Sequence, residues 1–72
     1  MTAAEWIDAF ADKLGVAPPT EDEFEQLLTL AGIAAHGSER VAAPVSCWVA
    51  ATAGVPIDTA LHAAREVSGD SA

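Results

Sequence analysis

The chain gathers its chemically capable side chains between residues 36 and 48, where His36, Arg40, Ser46, Cys47 and Trp48 follow one another closely. An imidazole and a guanidinium four residues apart, followed by amides opening a helix near Val45 and Ser46, have the makings of an anion site for a phosphate or carboxylate. The same residues also suit a plain structural corner. His36 then complements the negative end of the preceding helix, and Arg40 bonds to helix-end carbonyls or to a nearby acid. Both readings stand at this point. A Cys47 thiolate beside a helix N-terminus and a histidine would be an activated nucleophile. No third group is placed to orient that pair, and a lone Cys in an apolar helix is ordinarily a small buried hydrophobe.

These residues must be positioned by helices. Thr2-Ala3-Ala4-Glu5 and Thr20-Glu21-Asp22-Glu23 both carry the Thr-x-x-Glu capping pattern, in which side chain and backbone satisfy each other's donors. The first pattern opens a helix over residues 3–14, with Trp6, Ile7, Phe10 and Leu14 on one face. Gly15 closes it in the left-handed conformation, and Val16 folds back. Pro18-Pro19 interrupts the chain. The second pattern opens a helix over 21–36 with Phe24, Leu27, Leu28, Ala31, Ala34 and Ala35 at helical spacing, ending at Gly37. A third helix, 44–53, starts with Pro44 at its first position. With Val45, Cys47, Trp48 and Val49 it is apolar around most of its circumference, which predicts the buried centre of the bundle. A fourth, 57–68, turns Ile57, Leu61, Ala64 and Val67 inward, and Ser68-Gly69 ends it. Residues 70–72 are expected to fray. The fold class is all-α: one domain, residues 1–72, a compact bundle of about four short helices.

Size and charge narrow the functions. A chain of 72 residues sits near the lower limit for a self-sufficient core, with little room for a deep catalytic cavity. Cys47 is the only cysteine, so no intrachain disulfide can form, and zinc spacings such as C-x-x-C are absent. The expected compartment is the reducing cytoplasm. Neither a secretory signal nor a membrane span is expected from the broken apolar runs. Eleven acids against three Lys and Arg give a net charge of -8, a field that repels nucleic-acid phosphates and attracts a basic protein surface. Glu21, Asp22, Glu23 and Glu25 lack the spacing of a calcium loop and are explained by the helix dipole. His62 is expected to pair with Asp58 and Glu66 one turn away on either side. Metal ligation by His36 and His62 requires the fold to bring them together, and no metal or cofactor is expected. Trp6, Phe10, Phe24 and Trp48 are expected in the core, with one of the two tryptophans, Trp6 or Trp48, reaching an edge to anchor a partner.

The acidic helical character invites comparison with acyl carrier proteins, but their Asp-Ser-Leu motif is absent where helix 2 opens. Glu5-Trp6-Ile7, Leu14-Gly15-Val16, Leu27-Leu28 and, above all, Ala35-His36-Gly37 followed by Arg40 and Ala43-Pro44 carry another likeness. In these the chain, up to about Gly54, resembles a small actinobacterial domain of unknown function that is encoded beside, or fused to, molybdenum-cofactor guanylyltransferase-like proteins. The resemblance implies a role in the making or delivery of molybdopterin guanine dinucleotide, and supplies no catalytic residue. The expected function is therefore a noncatalytic accessory module that docks onto a larger protein of that kind or of molybdoenzyme maturation. Two other expectations remain: binding of a pterin or nucleotide phosphate at the His36, Arg40 and Pro44 junction, and self-association as a structural homo-oligomer.

Overall fold

Two capping boxes decide where the first half of the chain becomes helical. In the computed structural model, which describes residues 1–69, the Thr2 amide donates to Glu5 Oε1 at 2.7 Å and the Glu5 amide to Thr2 Oγ1 at 3.1 Å. Thr20 and Glu23 repeat the exchange at 2.8 and 3.1 Å. These caps open α1 (Ala3–Leu14) and α2 (Glu21–Gly37). Two further helices, α3 (Ala42–Ala53) and α4 (Ile57–Val67), complete an all-α bundle measuring 37 × 23 × 18 Å. Gly15 ends α1 at φ 72°, and the Val16 amide folds back onto the Ala11 carbonyl at 3.0 Å, the six-to-one bond of a Schellman turn.

The start of α3 differs from the expectation of residue 44, and its cause lies in the backbone. Val41, at the cap position, gives no side-chain bond; instead the amides of Ala42 and Ala43 donate to the carbonyls of Glu39 and Arg40 at 3.0 and 3.1 Å. Pro44 is thus the third helical residue, still within the first turn, where a missing amide costs nothing. The end of α2 also shifts, from His36 to Gly37. Gly37 is not left-handed; positive φ occurs at Gly15, Gly54 and Gly69. Its lack of a side chain answers a close approach, because a methyl group there would run into the Ser68 hydroxyl and lie 3.1 Å from Ser68 Cβ. The end of α2 therefore passes directly beside the end of α4, which stops at Val67, one residue earlier than expected, with Gly69 at φ 74°. Residues 70–72, expected to fray, lie outside the described residues.

Packing corrects the expected centre. Both α3 and α4 lie against α2, scarcely touch one another, and receive no comparable contact from α1. The central helix is α2, whose Leu30 is 3% exposed. The apolar helix α3 has no buried residue at all. Among the described residues the buried hydrophobic side chains are Ala11, Leu30 and Leu61. A side-chain bond reinforces the α2–α4 seam: Gln26 Nε2 donates to Asp58 Oδ1 at 2.8 Å. That bond takes Asp58 away from the local pair expected with His62, which keeps only Glu66, at 3.5 Å.

Candidate functional site

The three helices of the α2 platform leave an unfilled space. Because α3 and α4 both rest on α2 without closing on each other, a groove of about 630 Å³ runs between them. Leu30 and Ala34 of α2 lie along it, Val45 and Val49 form the α3 side, and Ala60 and Ala64 belong to the α4 side. The lining of α3 recurs at Ala42, Val45, Ser46, Val49, Ala50 and Ala53, a spacing of three and four residues that runs the length of one helical face. Few polar atoms reach this space. Ser46 Oγ donates to the Ala43 carbonyl at 2.8 Å and Ser38 Oγ to the Ala34 carbonyl at 2.7 Å, so two of its three hydroxyls are turned onto their own backbone. What the groove offers is aliphatic surface, which gains about 25 cal/mol for each Å² removed from water.

A second apolar surface stands on α1. Trp6 and Phe10, one turn apart, stack with ring centroids 5.0 Å apart and an interplanar angle of 30°. They remain 52% and 49% exposed, and Leu14 and Val16 are exposed beside them. Only Ile7 and Ala11 on this helix lose much of their exposure to the rest of the chain. Trp48, on α3 but outside the groove lining, is 69% exposed. The expectation that Trp6, Phe10 and Trp48 belong to a core is thereby overturned for these three, while Phe24 is half-buried. Leu28 and Val67, expected inward, also face solvent. Helical spacing shows which side chains share a face, whereas burial of that face depends on which element packs against it.

The sequence-derived anion site is dispersed over different surroundings. His36 and Arg40 are exposed and line no part of the groove, whereas Ser46 is half-buried within it. With α3 beginning at Ala42, the amides of Val45 and Ser46 fall beyond the first turn, where amides bond to carbonyls four residues back rather than pointing outward. Among the described residues Arg40 makes neither of the bonds expected for a loop organiser, and the one ion pair within 4.0 Å is His62 with Glu66. Cys47 is half-buried and borders a smaller hollow beside Pro18, Pro19 and Leu27. No group of three His, Cys, Asp or Glu side chains among the described residues could hold a metal ion. No described helix is long and apolar enough to cross a membrane.

The Glu5 carboxyl, on α1, has a displaced pKa. The bond from the Thr2 backbone amide, and then that of the Thr2 side chain, hold the Glu5 carboxyl below its ordinary range. This is cap chemistry rather than acid–base chemistry for a substrate.

The all-α bundle, with its apolar groove and the exposed aromatic face of α1, belongs to the class of small helical domains. The chain belongs to the family described as Domain of unknown function (DUF6457), whose model matches residues 1–72. No curated protein and no solved structure shows significant similarity to it.

Proposed function

We propose that this domain is a noncatalytic docking module that binds a larger protein by covering its open apolar surface. One observation carries the reading: among the described residues Ala11, Leu30 and Leu61 are the buried hydrophobic ones, while Trp6, Phe10 and Trp48 remain about half exposed or more. Isolated surface hydrophobes need no explanation, but the stacked Trp6–Phe10 face and the apolar groove on so small a chain do. Trp48 is the anchor on the outer side of α3, since a large aromatic contributes strongly once an interface excludes water around it. The net charge of -8 favours a partner with a basic rim and accelerates encounter.

The partner is a guanylyltransferase-like or molybdoenzyme-maturation protein of molybdopterin guanine dinucleotide metabolism. Support for that finer assignment comes from the sequence resemblance running through Ala35-His36-Gly37, Arg40 and Ala43-Pro44. Affinity capture of the tagged chain from its native host, compared with Trp48→Ala, tests both levels. A protein of that class enriched with the parent chain and lost with Trp48→Ala is the expected result. Recovery of the parent chain alone would remove the docking reading, and a reproducible partner of another class would remove the cofactor assignment.

A second reading draws on His36 and Arg40, neither of which makes a side-chain hydrogen bond or ion pair among the described residues. Both are open to an anion such as the pyrophosphate of a pterin or nucleotide, with Ser46 contributing only if its bond to Ala43 is released. Nuclear magnetic resonance titration with phosphate, pyrophosphate and nucleotides checks this reading. Unmoved resonances of His36 and Arg40 at millimolar ligand end it.

A further inference from the structure

The unfilled groove and the unpartnered face of α1 occur on the same molecule, and they match. We infer that α1 of a second copy seats its Trp6–Phe10 face in the groove between α3 and α4, and that the exchange is reciprocal, giving a two-fold dimer. This goes beyond the docking reading, because Trp48 lies outside the groove and stays available to a different protein.

Length, pattern and area favour this occupant. At 1.5 Å per residue, the twelve residues of α1 span about 18 Å. The twelve residues of α3 span the same distance, and the eleven of α4 very nearly so. Helical periodicity places Glu5, Asp8 and Asp12 in a narrow arc opposite Phe10. A seated α1 therefore keeps its carboxylates in solvent while Trp6, Phe10 and Leu14 enter an aliphatic space whose Ser38 and Ser46 hydroxyls are already bonded.

The area argument selects reciprocity. Half-exposed Trp6 and Phe10 each retain on the order of 100 Å². One helix face of this size in one groove falls short of the roughly 800 Å² per partner that a stable interface requires. In a two-fold exchange each copy contributes a helix face and a groove wall, so the covered area doubles without further contacts. Each seat resembles the missing fourth helix of a bundle whose other three helices are α2, α3 and α4.

Reciprocity has a signature that other modes of association lack. In a dimer of Phe10→Glu chains both seats hold an altered helix, and in a dimer of Ala60→Lys chains both hold an altered groove. Mixing the two variants restores one seat in which parent helix meets parent groove, and in the other seat it sets the new carboxylate against the new ammonium, so both seats contribute again. Sedimentation velocity and native mass spectrometry of the 72-residue chain should show a parent dimer. Each variant alone should have its dissociation constant raised by about a hundredfold or more, in line with loss of interface anchors in both seats. The mixture should recover a one-to-one heterodimer. Circular dichroism establishes that each variant is helical. Phe10→Leu, which keeps the apolar contact, should remain dimeric if Phe10→Glu fails to fold. Added salt should tighten the dimer, since two chains of charge -8 repel, whereas it should weaken capture by a basic partner. A parent chain that is monomeric at all concentrations overturns the inference. So does a dimer whose mass and stability neither variant changes. Neither outcome touches the Trp48-dependent docking proposed above, which fails separately if Trp48→Ala leaves partner capture intact.

Discussion

The α2–α4 seam forms a finished half of this molecule, and the outer faces of α1 and α3 form an unfinished one. Along the seam Leu30 and Leu61 are buried, Gln26 bonds to Asp58, and Gly37 lets the helix ends pass at Ser68. Across α1 and α3, Trp6, Phe10 and Trp48 face outward, and Val45 and Val49 stay exposed along the open groove. The open faces belong to the more apolar half: α3 packs on α2 as α4 does, yet its outer side, like the aromatic side of α1, is left exposed by the rest of the chain. The lesson concerns stability as much as function. A chain of this size has little stability in reserve, so surface left open by its own fold is where a second protein can add burial.

Substitutions along the seam should have the largest effects. Leu30→Ala removes the most enclosed side chain and should cost about 2–4 kcal/mol, read as a lowered urea midpoint or outright loss of the helical signal. Trp48→Ala, on the open side, should change the stability of the isolated chain by no more than about 0.5 kcal/mol while greatly weakening partner capture. Equal destabilisation by the two would erase the distinction between the halves.

The capping boxes sharpen the comparison at smaller scale, because identical chemistry is placed in each half. Thr20→Ala opens the cap of the central helix and should lower global stability by about 1 kcal/mol. Thr2→Ala opens the same cap on peripheral α1, and should appear as faster amide exchange in the first turn of α1 with a smaller change in the global midpoint. Acid acts on that end too. The folded-state pKa of Glu5 is depressed, so its contribution is fully present above the ordinary glutamate value and is lost as pH falls through the lower folded value. Exchange of the Trp6 amide should therefore report earlier opening in the parent than in Glu5→Gln as acid is added.

The smallest effect belongs to the helix ends. Replacing a helical glycine with alanine ordinarily gains about 0.5–1 kcal/mol, but at Gly37 the contact with Ser68 opposes the gain. Gly37→Ala should be more favourable in a Ser68→Gly background than in the parent chain. Additive effects in the double-mutant cycle would show that the two helix ends do not meet.

Local chemistry was readable in the sequence, and tertiary pairing was not. The caps at Thr2 and Thr20, the glycine stop at Gly15 and the proline break at Pro18-Pro19 all depend on neighbours within a few residues, and each is found where it was expected. The true start of α3 was hidden because amide bonds to the Glu39 and Arg40 carbonyls leave no side-chain signature. Apolar character around α3 suggested a central helix, yet a helix can be apolar on two sides when only one of them meets its own chain. Asp58 illustrates the same limit: His62 lies one turn away, but Gln26, 32 residues distant in sequence, takes the bond. Within the candidate site, Ser46 drew notice for its hydroxyl and turned out to matter by position. The signal for the groove was its membership in the Ala42, Val45, Ser46, Val49, Ala50, Ala53 spacing.

The central claim is that apolar surface left open by the isolated chain is covered by protein in its working state. Trp48 reports on it most directly, through its fluorescence in a Trp6→Phe chain, measured in dilute solution and again in the complex captured from the native host. The isolated chain should give red-shifted, readily quenched emission, and the complex blue-shifted, protected emission. Emission and quenching that are the same in both states would contradict the claim.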